Sequence, residues 1–125
     1  MPHFPRVESL RGELKRTEIR AGTRYQLTTR EFVLQRQQRT YRIAFENVLG
    51  LVECSDDEYR LNGPLYRTVE QGAGRPYKIV TTLMHLVSPR GVLEQERVSL
   101  YTRLSSSFAR QFEILLSSGD RAAKG

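Results

Sequence analysis

Residues 97–118 read RVSLYTRLSSSFARQFEILLSS, and this stretch decides the fold that the sequence predicts. Val98, Leu100 and Thr102 alternate with other residues, so residues 97–103 have the two-residue period of a strand. Residues 105–118 have the period of a helix instead, because four large apolar side chains recur at i, i+4, i+7 and i+8 and share one face. These side chains are Phe108, Phe112, Leu115 and Leu116.

The predicted helix has a defined beginning and end. One of the serines at 105–107 supplies the N-cap, and Gly119 suits the position just after the last turn. Burial of each apolar side chain of the stripe stabilises the fold by about 1.5–3 kcal/mol before entropy is counted. The helix therefore belongs to the core and must cover other structure, and residues 119–125 are expected to form a frayed tail.

Upstream of this stretch, the chain reads as short strands joined by turns. Gly50 indicates a bend or bulge in a buried apolar run, and residues 55–58 read as an acidic loop. Residues 9–20 fit either a helix or a polar edge strand, whereas residues 1–8 read as a loose arm. The remaining segments with alternating or continuous apolar residues are 24–29, 31–35, 40–45, 48–52, 65–70 and 77–87.

The register of one hairpin follows from its apolar residues. A turn at residues 37–38 places the large apolar side chains of both strands on one face, and a one-residue slip would scatter them. The same register sets Arg36 against Arg39 at the tip, a like-charge pair that costs about 0.2–1 kcal/mol unless it is relieved. The other predicted pairs are Leu34 with Tyr41, Phe32 with Ile43, Val33 with Arg42, and Gln35 with Thr40.

The length and composition indicate one folded domain. A chain of 125 residues can build one hydrophobic core but not two, so a single domain over residues 1–125 is expected. The longest nearly apolar run, residues 79–87, is too short to span a membrane, and residues 1–11 lack the apolar core of a secretory signal. Cys54 is the only cysteine, which excludes an internal disulfide. We expect a soluble, cytoplasmic protein, with peripheral attachment to a membrane as an option.

The net charge of +6 is unevenly distributed along the chain. It comes from 17 Arg and 3 Lys against 14 acidic residues. Residues 1–45 carry +6, residues 46–70 carry −4 and residues 71–125 carry +4. Such asymmetry favours an anionic partner or head-to-tail self-association, although a solvated surface also accounts for it.

Two further stretches resemble the opening strands of bacterial pleckstrin-homology-like (PH-like) and GRAM-like domains. They are YQLTTREFVL at residues 25–34 and YRIAFENVLGLV at residues 41–52, where these families commonly read Y-x-L-T-x-x-R-L-x-L and I-P-L-x-x-I-x-x-V. Ala44 stands where proline is usual, and Phe32 where leucine is usual. Residues 97–116 are similar to the closing strand and capping helix of the same families.

This resemblance implies both a fold class and a kind of function. The fold would be mainly β: a partly open barrel of about seven antiparallel strands in two nearly orthogonal sheets, plugged by one C-terminal helix. Members of these families mostly bind lipid head groups, peptides or copies of themselves. The resemblance therefore implies a non-catalytic binding module whose partner is a protein, an anionic lipid surface or a second copy, recognised through loops and basic hairpins.

Basic residues on the predicted hairpins are the candidates for contact with an anionic partner. An anion between Arg36 and Arg39 would relieve their repulsion through charge-assisted hydrogen bonds of about 1.5–3 kcal/mol. The alternative is that these side chains extend into water or pair with Glu31 or the 55–58 loop. The candidate binding residues are Arg20, Arg24, Arg36, Arg39, Arg42, Arg75 and Lys78.

Neither a catalytic nor a metal site is expected, and neither is a cofactor. His85 lies in a strand with Leu83 and Val87 on its own face, which favours a packed histidine over a general base. Residues 56–58 lack the spaced oxygen ligands of a calcium loop, and residues 72–75 lack the lysine of a phosphate loop. An enzyme would instead need a cleft that holds His85 beside an acidic side chain.

Two other binding functions remain open. A pI near 9.9 suits a nucleic-acid-binding barrel, and the tyrosines at 25, 41, 66, 77 and 101 could stack on bases, although their alternation favours core packing. Cyclic-dinucleotide-binding PilZ domains begin with R-x-x-x-R, which residues 16–20 and 20–24 both satisfy. The second PilZ element, D/N-x-S-x-x-G, is missing before Gly50, where Phe45 and Asn47 occupy the matching positions.

Overall fold

The computed structural model describes residues 10–20, 22–62 and 74–124, with side chains up to residue 118. A short 3-10 turn, Phe45–Asn47, and two helices, α1 (Asp56–Asn62) and α2 (Ser106–Lys124), accompany the strands in these ranges. The predicted arm at 1–8 and the predicted strand at 65–70 lie outside the described residues. The seven strands are β1 (Leu14–Arg20), β2 (Thr23–Thr28), β3 (Glu31–Arg36), β4 (Arg39–Ala44), β5 (Val48–Glu53), β6 (Arg75–Ser88) and β7 (Gly91–Leu104).

The strands form one antiparallel sheet in the order β1-β2-β3-β4-β6-β5, with β7 paired to β6. Strand β6 joins the two parts of the sheet, because Tyr77–Thr81 pair with β5 and His85–Val87 pair with β4. Its opposite edge pairs with β7 along the whole length. No backbone pairing between β1 and β7 is present in the described ranges. The fold is therefore a partly open antiparallel β-barrel capped by the C-terminal helix, which confirms the predicted fold class, although β6 joins the strands into one sheet where two were expected.

Helix α2 covers the core, as its apolar stripe predicts. The Phe112 ring stacks on Phe32 at 5.2 Å and on Phe45 at 5.6 Å between centroids, and Phe108 packs edge-on against Tyr25 and Phe32. Leu115 and Leu116 complete the stripe as half-buried residues. Since these contacts lie at the start of β3 and beyond the end of β4, the helix plugs the barrel end opposite the β3–β4 turn.

The start of helix α2 agrees with the sequence prediction, but its end does not. Ser105 is the N-cap, because its Oγ accepts the backbone N–H of Phe108 at 3.1 Å. The predicted end before Gly119 is wrong, since the helix continues to Lys124. Glycine permits a helix end but does not impose one, and it can also occupy a helix interior at a modest cost.

The predicted β3–β4 register is confirmed in every pair. Leu34 lies opposite Tyr41 and Phe32 opposite Ile43, with all four side chains in the core. Arg36 lies opposite Arg39, beside a two-residue turn in which Gln37 adopts a left-handed φ of 54°. A buried apolar face on both strands leaves only this register without exposing large side chains.

Two expectations for the middle of the chain are wrong. The predicted acidic loop is helix α1, which begins where the Ser55 Oγ accepts the backbone N–H of Glu58 at 3.1 Å. Ser55 and Glu58 have the Ser-x-x-Glu spacing of a capping box, a signal present in the sequence. The predicted buried strand β5 is an edge strand without a buried residue, although the predicted bulge at Gly50 is confirmed by a register shift between Val48 and Gly50.

Two other boundaries depend on pairing rather than on burial. Residues 9–20 contain the polar edge strand β1, one of the two alternatives that the sequence left open. Strand β7 begins at Gly91, earlier than the predicted residue 97. Residues 91–97 are largely exposed and are held by backbone pairing with β6, so hydrophobic alternation does not reveal them.

Candidate functional site

Three hairpin turns lie at the same end of the sheet. Arg20 pairs with Thr23, Thr23 with Arg36, and Arg36 with Arg39, so the β1–β2 and β3–β4 turns are neighbours. Thr40 pairs with Val87, which brings the β6–β7 turn to the same end. We call residues 19–24, 35–40 and 87–92 together the hairpin end.

The hairpin end is basic and carries exposed apolar side chains. Its three segments contain no Asp or Glu. Ile19 is 60% exposed and Val92 is 65% exposed, and Leu93 is exposed beside Val92. The strand register places Ile19 and Val92 at the two ends of one row of cross-strand neighbours, so they flank the arginines of this end and are not neighbours of each other. The arginines of the hairpin end are Arg20, Arg24, Arg36, Arg39 and Arg90.

The arginines at the base of the turns are fixed by neighbouring groups. Arg36 donates from Nη1 to the Thr23 Oγ1 at 2.9 Å, and Arg24 donates from Nη1 to the Gln35 Oε1 at 3.4 Å. The Arg20 guanidinium lies 4.4 Å from the centre of the Tyr25 ring, a cation–π geometry. Arg20 also lies 3.5 Å from the Glu18 carboxylate. Arg39 and Arg90 are exposed, and they stand at the tips of two turns.

The other three predicted residues lie elsewhere, and each of them has a carboxylate partner too. On the outer face, Arg42 donates from Nη2 at 2.7 Å and from Nε at 3.1 Å to Glu31, which is only 2% exposed. Arg75 pairs with Glu53 at 3.1 Å, and Lys78 pairs with Glu58 at 2.9 Å. Of the seven predicted residues, Arg20, Arg24, Arg36 and Arg39 are therefore brought together, whereas Arg42, Arg75 and Lys78 are not.

A groove of about 520 Å³ lies on the outer face of β4, β6 and β7. His85 lies in it, and its Nε2 is 3.1 Å from a carboxylate oxygen of Glu94. The prediction that His85 packs in the core is therefore wrong. The other lining residues are Arg11, Glu31, Arg42, Ala44, Glu46, Asn47, Leu83, Val87 and Val92.

A change of parity along β6 explains the position of His85. Ile79 and Thr81 are buried before it, and Met84 is buried after it, so the inward positions shift by one residue between Thr81 and Met84. Opposite this point on β7, Arg97 has a left-handed φ of 53° and is not among the paired residues. Uniform alternation would have placed His85 with Ile79 and Thr81; the irregularity turns it outward instead.

The groove brings a histidine and an acid together but contains no nucleophile. The described lining residues include no serine, threonine, cysteine or lysine. Glu31, the most buried carboxylate there, is occupied by Arg42 and by the backbone N–H of Arg11 at 2.7 Å. Among the residues that the structure describes, no group of three His, Cys, Asp or Glu side chains could hold a metal ion.

Helix α1 makes a second polar cluster with β6 and β7. Glu58 accepts hydrogen bonds from the Lys78 Nζ at 2.9 Å and the Tyr101 hydroxyl at 3.1 Å, which lower the pKa of the Glu58 carboxyl. The hydrogen bond to Glu58 raises the pKa of Lys78, and desolvation followed by the same carboxylate raises the pKa of Tyr101. Burial and the Glu58 charge raise the pKa of the Cys54 thiol, which therefore favours its neutral form.

Comparison of the chain with protein-family models, curated proteins and solved structures finds no match. Within the described ranges, none of the helices has the length and apolar composition needed to cross a membrane. The geometry of the described residues thus carries the functional argument. Sequence reasoning missed Arg90, Ile19 and Val92, although Pro89-Arg90-Gly91 is a turn signal that the sequence contains.

Proposed function

We propose that this protein is a non-catalytic binding module of the PH-like type that docks its hairpin end on an anionic membrane surface. The observation that carries the proposal is the composition of that end: five arginines, no acidic residue, and exposed Ile19 and Val92. Each basic residue near an anionic bilayer contributes about 1 kcal/mol. Exposed apolar side chains beside them can enter the boundary between head groups and acyl chains.

Two features of the barrel support binding rather than catalysis. Its interior is filled by core side chains, with Phe108 and Phe112 fully buried, which leaves the outer surface and turns as contact sites. The groove at His85 contains no nucleophile among its described residues. His85 and Glu94 are cross-strand neighbours, which explains their contact without a catalytic role. Nucleophilic catalysis would also need a nucleophile beside the histidine.

A membrane suits the hairpin end better than a nucleic acid does. Nonspecific single-strand binding uses aromatic side chains as stacking platforms, and the exposed side chains described at this end are aliphatic, amide or basic, with no aromatic ring among them. Tyr25 and Tyr41, two of the tyrosines considered for stacking, are buried in the core. Binding to an oligonucleotide therefore becomes an outcome of the test rather than a second proposal.

Vesicle flotation tests the proposal. The protein is mixed with phosphatidylcholine vesicles with or without phosphatidylserine, and we expect it to float only with the anionic vesicles. Arg39→Gln with Arg90→Gln should reduce the partition coefficient about 30-fold, which corresponds to about 1 kcal/mol for each arginine. A matched control, Arg60→Gln with Arg110→Gln, removes the same charge from exposed positions outside the hairpin end.

Several outcomes would contradict the proposal. Flotation that is equally weakened by both double variants would indicate a general charge effect without a docking surface. Equal flotation with neutral vesicles would exclude recognition of the anionic head groups. No flotation, together with oligonucleotide binding or a concentration-dependent oligomer in light scattering, would assign the hairpin end to a nucleic acid or to a second copy.

A further inference from the structure

Helix α1 is attached to the barrel by polar contacts rather than by burial. None of its seven residues is buried, and Leu61, its largest aliphatic side chain, is 84% exposed. Its contacts with the sheet include the two hydrogen bonds of Glu58 and an ion pair of 3.2 Å between Asp56 and Arg103. The Arg103 guanidinium also lies 4.9 Å from the centre of the Tyr59 ring. Hydrophobic burial therefore contributes little to the free energy that holds the helix against the sheet.

The sheet surface under α1 has the composition of an anion-recognition site. Lys78 and Tyr101 are cross-strand neighbours, and Arg103 lies two residues beyond Tyr101 on the same face of β7. Together they offer an ammonium, a phenolic hydroxyl and a guanidinium to groups above the sheet. We call these three residues the latch face.

Each of the three groups on the latch face contacts an acidic side chain of α1. Glu58 occupies Lys78 and Tyr101, and Asp56 occupies Arg103. The third acid of the helix, Asp57, points away from this set and pairs with Arg60 inside the helix at 2.6 Å. The Ser55 Oγ accepts the backbone N–H of Glu58, while the Glu58 carboxylate is directed to the sheet, where it accepts hydrogen bonds from Lys78 and Tyr101. The arrangement is that of an acidic ligand bound to a basic face within one chain.

We propose that the latch face is a recognition site for an acidic peptide segment, and that α1 occupies it as an internal competitor. A tethered ligand acts at an effective concentration in the millimolar range, so an external peptide of similar composition binds weakly while α1 is in place. Release of α1 from the latch face removes this competition. The apparent affinity for the external peptide then increases, because it is proportional to the fraction of molecules in which the latch face is unoccupied.

The latch face shares no residue with Arg39 or Arg90, the residues substituted in the membrane test. The two proposals can therefore fail separately. If the protein does not bind vesicles but binds an acidic peptide at Lys78, the latch-face proposal stands and the membrane proposal fails. If it binds anionic vesicles but no acidic peptide, only the membrane proposal stands.

A peptide titration tests the latch face. The probe is a labelled peptide that copies residues 55–62, SDDEYRLN, and its control has the three acids replaced by their amides. We expect Asp56→Asn with Glu58→Gln to raise the affinity for the probe at least about 10-fold over the unsubstituted protein, because the internal competitor is removed. Glu53→Gln with Asp57→Asn is the matched control, since it removes two charges without changing a contact of the latch face.

A further substitution in the variant with Asp56→Asn and Glu58→Gln, here called the released variant, locates the binding site of the probe. Lys78→Met should abolish binding of the probe, whereas Arg39→Gln with Arg90→Gln should leave it unchanged. If the released variant gains no affinity, or if the hairpin-end substitutions abolish binding instead, the proposal is overturned. Circular dichroism checks that each variant folds; should Lys78→Met unfold the protein, Tyr101→Phe, which removes one hydroxyl, replaces it and should weaken binding.

Discussion

Arg20 on β1 donates a hydrogen bond from Nη2 to the backbone carbonyl oxygen of Arg103 on β7, at 2.9 Å. These strands are not paired through their backbones in the described ranges, so the bond crosses the open side of the barrel. Two further contacts lie along the same seam: Glu18 accepts from the Ser105 Oγ at 3.0 Å, and Arg16 reaches Ser107 at 2.7 Å. Polar side chains thus hold closed an edge that a complete barrel would join by a ladder of hydrogen bonds.

Substitution of Arg20 should therefore weaken the seam. Arg20→Met keeps the aliphatic stem but loses the bond to Arg103 and the charge above Tyr25, and we expect the free energy of unfolding to fall by about 1.5–3 kcal/mol. Urea denaturation followed by circular dichroism measures this difference. Arg110→Met, at an exposed position of α2, should change it by less than about 0.5 kcal/mol. Equal effects of the two substitutions would refute a role for Arg20 in closing the barrel.

The plug of the barrel should depend on one aromatic side chain of α2. Phe112→Ala removes a fully buried ring that stacks on both Phe32 and Phe45, and we expect a loss of about 3–5 kcal/mol in unfolding free energy. Ile114→Ala on the same helix is the control, because Ile114 is 57% exposed and should lose much less. Thermal and urea denaturation of both variants provide the comparison; similar losses would contradict the assignment of α2 as the plug.

The ion pair between Glu31 and Arg42 should be costly to break from one side. Arg42→Met leaves the buried Glu31 carboxylate without its main partner, and we expect a loss of about 3 kcal/mol. Adding Glu31→Gln removes the stranded charge and should restore part of the stability. A double-mutant cycle by urea denaturation measures the coupling. A double variant no more stable than Arg42→Met alone would show that the charge itself is not the source of the loss.

The contact between Glu58 and Lys78 should depend on pH at both ends of the scale. The hydrogen bond from Lys78 lowers the pKa of Glu58, so its contribution to stability is present above the ordinary pKa of about 4.3 and is lost as pH falls through the lowered value. The bond to Glu58 raises the pKa of Lys78, so that contribution is present below about pH 10.4 and is lost as pH rises through the raised value.

Carbon-13 NMR of the Glu58 carboxyl group measures the acid limb directly. We expect Lys78→Met to raise the Glu58 pKa toward its ordinary value, since the first cause of the lowering is removed. Arg60→Met is the control and should leave the titration unchanged, because Arg60 pairs with Asp57. A Glu58 titration that is insensitive to Lys78→Met would exclude this contact in solution.

Local patterns predict much of the fold, and particular elements show why. The β3–β4 register follows from four apolar side chains that can share a face in only one alignment. The stripe on α2 is equally explicit, with Phe108 and Phe112 buried as expected. Where a segment has no buried face, apolar patterning cannot locate it. Residues 91–97 extend β7 through backbone pairing, and the sequence marks α1 only by the Ser-x-x-Glu spacing of its cap.

The candidate sites depend on relations that no local pattern contains. His85 shares sequence parity with Ile79 and Thr81, yet the irregularity opposite Arg97 turns it outward toward Glu94. The partners of the basic residues are likewise set by the tertiary structure. Arg36 and Arg39 remain at the hairpin end, whereas Lys78 is neutralised by a glutamate twenty positions earlier in the chain.

The sequence by itself determined that this protein is mainly β with one C-terminal helix that covers its core, because period-two and period-3.6 apolar patterns specify which faces must be buried. The partly open barrel was what the resemblance of two strand segments and of the closing strand and helix implied. Only the tertiary structure decided which charges meet. It placed five arginines at one end, left β1 and β7 without backbone pairing in the described ranges, and positioned an acidic helix over Lys78, Tyr101 and Arg103. Charged side chains at the surface lack a required burial direction, so their partners are set by how the sheet coils and not by their order in the chain.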